Sequence, residues 1–168
     1  TFSNYLEKTQ PHLFFAVPRI WTKFREKILE SIPQKKLNLL LAIPILKNIV
    51  KNKLKEKLGL KEALFVVSAA APISASLISW YRKIGITIFQ GYGMTEDCCV
   101  SHFNTNEHDK IGTVGKTLYN VQVKLSAEGE ICIKNNCLMK GYFKEPEITA
   151  TVFDQEGYLK TGDIGEFD

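Results

Sequence analysis

Three short apolar runs, each separated from the next by a stretch with helical spacing, constrain this chain more than any other feature. They are HLFFAV (12–17), ALFVVS (63–68) and ITIFQ (86–90). Each is too short for a buried helix and rich in aromatic or β-branched residues, so each is predicted to be a buried strand. Between the first two lies PRIWTKFREKILESI. Pro18 suits a first helical turn, and Ile20, Trp21, Phe24, Ile28 and Leu29 share one face. Pro33 ends that helix. Residues 37–58 continue the helical pattern, broken at Pro44 and stopped by Gly59. In its second half Ile45, Ile49, Leu54 and Leu58 are expected on one side, with lysines on the other. Between the second and third runs PISASLISWYRKIG predicts a helix capped by Ser74 and ended at Gly85. Strands alternating with helices build a parallel sheet with helices outside it, so the expected class is α/β over about residues 1–95.

The texture changes after residue 100. VQVKL (121–125) and GEICIK (129–134) alternate in period two about a turn at Ser126–Gly129, which predicts a hairpin. Tyr158–Lys160 and Ile164–Phe167 are expected as short strands around a Gly162–Asp163 turn. A short helix is expected to open at Glu145-Pro146-Glu147 and end near Phe153. The predicted organisation is an α/β part over 1–110 and a β-rich subdomain over 111–168.

The 168 residues, 45% of them hydrophobic, suffice for a packed core. No apolar run approaches the roughly 20 residues of a membrane span, and no secretory signal opens the chain. The first residue is Thr1 and the last four are GEFD, so the sequence is expected to be a piece of a longer protein. Cys98, Cys99, Cys132 and Cys137 contain no CxxC pair, and His12, His102 and His108 lack metal spacing. Buried free thiols in a reducing cytoplasm are expected. Residues 35–61 hold eight lysines against one acid, Glu56, a net of +7 in a chain of +4. No aromatics interleave with these lysines, which argues against a nucleic-acid platform. The basic helix at 45–58 fits either a solvated face or contact with an anionic membrane surface.

Parallel α/β sheets bind ligands beyond the carboxyl ends of their strands. Two such ends carry small residues: SAAAPIS (68–74) and QGYGMTE (90–96). At the second, Gly91 and Gly93 flank Tyr92, whose ring can stack. Thr95 offers a hydroxyl to a phosphate oxygen, and Glu96 a hard oxygen ligand to Mg2+. In YLKTGDIG (158–165), Asp163 suits two hydrogen bonds from a ribose diol. Taken singly, each feature also fits a plain turn, a half-buried ring or a solvated acid.

Together, in this order, the motifs resemble those of the adenylate-forming superfamily of acyl-CoA synthetases, peptide-synthetase adenylation domains and luciferases. QGYGMTE is similar to its YGxTE motif. GYLKTGDIG is similar to its Y-x-TGD motif. GEICIKNNCLMKGYFKEPEITATVF resembles its GE…G…GY…P…T…F stretch, and IGTVGKTL the lead into the β subdomain. FFAVPRIWTKFREKI resembles the VPR segment of long-chain fatty acyl-CoA synthetases. The resemblance spans nearly the whole chain.

It implies activation of a long-chain fatty acid by ATP and Mg2+ to an acyl-adenylate, then transfer to coenzyme A. Tyr92 would pack on adenine, Thr95 would hold the α-phosphate, Glu96 would bind Mg2+ and Asp163 the ribose. Ala69, Ala70 and Ala71 would line the nucleotide and acyl sites. The family usually has glycine near Ala69–Ala70, so the alanines are a departure. Its phosphate loop and its C-terminal domain, with a catalytic lysine, have no counterpart in this sequence. The 168 residues alone are therefore expected to be inactive. A carrier-protein acceptor and a non-catalytic nucleotide-binding module stay open as alternatives.

Overall fold

The computed structural model describes residues 2–168. Two compact units form: one runs to Gln90 and takes in Asp109–Thr113, and the other holds Gly91–His108 and Val114–Asp168. The class is mixed α/β, with parallel strands in the first unit and antiparallel strands in the second.

The first unit begins with α1 (Phe2–Thr9), which pattern reading does not name because it buries only Leu6. β1 (Leu13–Ala16), α2 (Pro18–Ser31), α3 (Gln34–Ala42) and α4 (Pro44–Lys57) follow. Then come β2 (Phe65–Ser68), α5 (Ala75–Lys83) and β3 (Phe89–Tyr92), whose last two residues belong to the second unit. β1 pairs in parallel with β2 from Leu13↔Phe65 to Ala16↔Ser68, and β2 with β3 at Val67↔Phe89 and Ser68↔Gln90.

Local chemistry sets the helix ends. The Ser74 hydroxyl accepts the Leu77 N–H at 3.3 Å, capping α5 as its sequence predicts. At the other end Gly85 takes φ +84, while Ile86 N–H bonds Tyr81 O and Gly85 N–H bonds Arg82 O. This closure uses residue 86, so the third strand starts at Phe89 rather than at 86. Ile86 and Ile88 still fill the core as an extended lead-in.

The core gathers around Trp21, which is 0% exposed. Its ring meets Phe14 and Tyr81 edge-on at 5.3 and 5.4 Å between centroids. Its Nε1–H donates to Ala16 O at 3.2 Å, and the Tyr81 hydroxyl donates to Trp21 O at 2.6 Å. Burial pushes the Tyr81 phenol well above its usual range.

HLFFAV is not buried on both faces: Phe14 and Ala16 pack against the helices, but Leu13 and Phe15 are 65% and 55% exposed. In α4, Leu54 is buried while Ile45 and Ile49 are exposed, Ile45 by 80%. Residues 45 and 54 lie about two and a half helical turns apart, so they point to opposite faces.

In the second unit the end of β3 pairs antiparallel with β4 (His102–Phe103) at Gly91↔Phe103 and Tyr92↔His102. β4 pairs with β5 (Lys116–Thr117). Strands of two residues carry no period to read. The predicted hairpin is present as β6 (Gln122–Leu125) and β7 (Glu130–Lys134), with Gly129 at φ +82 in the turn. α6 (Pro146–Val152) follows the Glu145-Pro146-Glu147 signal.

The two strands expected around a Gly162–Asp163 turn are instead one strand, β8 (Leu159–Ile164). It pairs with β7 at Cys132↔Lys160 and Glu130↔Ile164, so three residues of β8 face Ile131 alone. The glycine that suggested a turn sits in a bulge, at φ +77. The bulge is held by the Thr161 hydroxyl on Ile131 O and the Gly162 N–H on the Glu130 carboxylate, both at 2.8 Å. The thiols also depart from expectation: Cys132 is buried, but Cys98, Cys99 and Cys137 are exposed. All three lie on irregular segments of the second unit.

Candidate functional site

Six of the sequence-predicted site residues, Gly91, Tyr92, Gly93, Thr95, Glu96 and Asp163, lie in the second unit, and three lie in the first. Ala69, Ala70 and Ala71 follow β2, with Ala70 and Ala71 exposed. Ala70 adopts φ +67, a left-handed conformation that glycine takes without strain. The alanine departure therefore falls on a position whose backbone favours glycine, at a cost of about 1 kcal/mol.

In the second unit β3 ends at Tyr92, and Gly93 leads into a 3-10 turn, Thr95–Asp97. A Cβ on Gly93 would come within 2.6 Å of Cys99 Cα, so the tight return of the chain needs bare backbone there. The turn is tied by Asp97, 0% exposed, whose Oδ1 accepts the Met94 N–H at 2.8 Å and the Cys99 N–H at 2.9 Å. These bonds hold Cys98 and Cys99 at φ +57 and +56, an uncommon pair for residues with side chains.

On this scaffold Thr95 is exposed and Glu96 half-buried. Glu96 Oε1 accepts the Tyr142 hydroxyl at 2.9 Å, and Glu96 O accepts the Met139 N–H at 2.7 Å. The bond to Glu96 is the main reason the Tyr142 phenol stands above its ordinary pKa. Tyr92 donates its hydroxyl to Asp163 Oδ2 at 2.7 Å. Burial first, with the Asp163 carboxylate adding to it, pushes the Tyr92 phenol far up, so it remains a donor throughout the physiological range. Asp163 itself is exposed at the bulge, and its N–H reaches Thr161 Oγ1 at 3.1 Å.

The fold thus joins Tyr92 to Asp163 and places Thr95 beside Glu96. Sequence reasoning missed Asp97 and Tyr142. Asp97 carried a readable signal, an acid three residues after Met94 able to fold back onto its N–H. Tyr142, 46 residues from Glu96, carried none.

His102 lies opposite Tyr92 in the ladder, its ring 5.7 Å from the Tyr92 ring and its Nδ1 2.7 Å from Ser101 Oγ. Burial lowers its pKa, and Asp97 offsets that only in part. A depressed folded-state pKa means stability that is complete above about pH 6.5 and is lost as pH falls toward the folded value. Thermal unfolding from pH 7.5 to 5 is expected to show a steeper fall in midpoint for the native chain than for His102→Gln. Equal slopes would show that His102 does not carry this dependence.

Among the described residues no three His, Cys, Asp or Glu side chains converge on a metal. Glu96 nevertheless suits Mg2+. Its Oε1 is taken by Tyr142, leaving Oε2, and Mg2+ is ordinarily held by one or two carboxylates together with substrate phosphates.

Residues 1–143 match the family described as AMP-binding enzyme. Long-chain-fatty-acid–CoA ligase 5 of Rattus norvegicus is 34% identical over 96% of this chain and 28% of its own. Long chain acyl-CoA synthetase 3 of Arabidopsis thaliana is 33% identical over 94% of this chain and 29% of its own. The A-PCP didomain of carboxylic acid reductase from Segniliparus rugosus, solved with AMP, superposes with a TM-score of 0.69. It is 25% identical over 100% of this chain and 24% of its own. The chain spans about a third of the length of the curated relatives it matches. Because the family match takes in the Tyr92–Glu96 turn and Tyr142 alike, and the ligases align along nearly the whole sequence, the chain belongs to the AMP-binding enzyme family.

Proposed function

We propose that this chain supplies the adenosine-holding and metal-holding part of a ligase that activates a long-chain fatty acid with ATP and passes the acyl group to coenzyme A. The observation that carries this reading is the Tyr92–Asp163 bond beside Thr95 and Glu96, within a segment that long-chain ligases match almost end to end. In this reading the Tyr92 ring lies against adenine and Asp163 accepts the ribose hydroxyls. Thr95 donates to the α-phosphate. Ala69–Ala71 line the nucleotide and acyl sites with backbone. Glu96 holds Mg2+, which supplies positive charge against the phosphate oxygens as pyrophosphate leaves. The phosphate loop, and a second domain with the lysine that meets the α-phosphate, belong to other parts of such an enzyme.

The test is fatty-acid-dependent ATP–pyrophosphate exchange in a protein carrying this segment in its full context, followed by acyl transfer to coenzyme A. Exchange with palmitate and thioester formation on coenzyme A are expected. The isolated 168 residues are expected to form no thioester above background, because the triphosphate is clamped from one side only. Exchange without transfer to coenzyme A would favour a carrier-protein acceptor, as the A-PCP relative suggests. No exchange with any carboxylic acid would leave a nucleotide-binding module.

A cytoplasmic site of action is part of the proposal, with contact to a membrane surface through the lysine-rich helix at 45–58. No described helix is long and apolar enough to cross a membrane. Support comes from exposed Ile45 and Ile49 on the 45–58 helix, within a segment of net charge +7. Flotation with phosphatidylcholine–phosphatidylserine vesicles is expected, weakened by salt and by Ile45→Asn. Equal recovery with and without phosphatidylserine would contradict it.

A further inference from the structure

Three hydrogen bonds sew the segment 94–99 to the segment 137–142 within the second unit. Tyr142 donates to the Glu96 carboxylate, Met139 N–H donates to Glu96 O, and the Cys98 thiol donates to Cys137 O at 3.3 Å. Three of the chain's four cysteines lie on these two segments, and all three are exposed. The thiol contact is the weakest of the ties, a sulfur donor on a neutral carbonyl.

The contact also bounds how far apart the two cysteines are. A sulfur 3.3 Å from the carbonyl oxygen of Cys137 keeps the two Cα atoms within about 8–9 Å by bond lengths alone, and disulfides span roughly 4.4–6.8 Å. Bringing the Cα atoms into that window takes an approach of about 2 Å, and closure also needs the Cys137 side chain turned toward the Cys98 sulfur. The neighbouring pair is disfavoured: Cα atoms of Cys98 and Cys99 are about 3.8 Å apart across a trans peptide, below that window, so a bridge between them would be strained. Cys99 is further held by its own N–H, which bonds Asp97 Oδ1 and Met94 O.

We propose that Cys98 and Cys137 are a redox pair that closes to a disulfide when a peroxide is present, fastening the Glu96 turn to the Tyr142 segment. One thiolate attacks the peroxide oxygen, becoming a sulfenic acid as the O–O bond breaks and hydroxide leaves. The other thiolate attacks that sulfur and expels a second hydroxide, which takes up a proton. Two thiols and one hydrogen peroxide yield one disulfide and two waters. Cys132, buried and with its thiol pKa raised chiefly by that burial, takes no part. Formation of the bond does not depend on the function proposed above.

The experiment treats the reduced chain with hydrogen peroxide under native conditions, blocks remaining thiols with N-ethylmaleimide, and maps the digest by mass spectrometry. Before blocking, the expected product is an intact chain lighter by two hydrogens; after blocking and digestion, a peptide is linked between positions 98 and 137, and the link is reversed by dithiothreitol. Cys99→Ser keeps the link. Cys98→Ser and Cys137→Ser each lose it, and the partner left alone is trapped by dimedone as a sulfenic acid. In urea the selectivity disappears, which shows that the fold sets the pairing. A link that survives Cys98→Ser through Cys99, only intermolecular dimers, or thiols lost independently of one another would overturn the proposal.

Discussion

Glu96→Ala, made in a protein that carries this segment within a whole ligase, is expected to abolish acid-dependent ATP–pyrophosphate exchange while leaving the fold intact. Loss of a carboxylate in the metal-holding role proposed for Glu96 should cost on the order of 3–5 kcal/mol of transition-state stabilisation, a fall of roughly a hundred- to several thousand-fold. The structure makes a sharper comparison possible. Glu96 also accepts the Tyr142 hydroxyl, so alanine removes a tether as well as a charge. Glu96→Gln keeps an oxygen for Tyr142 and loses only the charge. Tyr142→Phe keeps the charge and loses the tether. If charge is what matters, Glu96→Gln is nearly as inactive as Glu96→Ala, and Tyr142→Phe retains most of its exchange. The reverse order would make Glu96 a structural partner of Tyr142 and nothing more.

The second large effect is on stability. Trp21→Ala is expected to destabilise the first unit by about 3–5 kcal/mol. The side chain is fully buried against Phe14, Phe24 and Tyr81, and its removal leaves a cavity the sheet and helices cannot close. It also strips Ala16 O of its Nε1–H donor. Trp21→Phe separates the contributions: most of the volume stays, and the lost hydrogen bond costs about 1–3 kcal/mol. Urea unfolding followed by far-ultraviolet circular dichroism measures both. Two units need not unfold as one, so two transitions, with Trp21→Ala shifting only one, would fit. A cost under about 1 kcal/mol for alanine would mean that Trp21 is not the centre of this core.

Much of the fold was readable because its causes are local. Ser74 caps α5 through its own hydroxyl, Gly85 closes it, and Pro44 splits α3 from α4, each by chemistry within a few residues. The errors have non-local or geometric causes. Gly162 reads as a turn because glycine favours positive φ, but a bulge uses the same φ. Only the pairing of β8 with β7 decides between them. Ile45 and Leu54 read as one face until the helical angle between them is counted.

The site divides in the same way. Sequence alone singled out the glycine-flanked QGYGMTE segment, its Thr95 and Glu96, and the distant Asp163 as candidates, because those residue types at that spacing suit the proposed chemistry. It determined, too, the strand–helix alternation, since burying one face sets the period of apolar residues. Tertiary structure alone decided that Tyr92 bonds Asp163, 71 residues away, and that Tyr142 holds Glu96. It also decided that Cys98 lies against Cys137, 39 residues on. Such contacts depend on where a folded backbone brings two segments together, and no periodicity in the chain records that meeting.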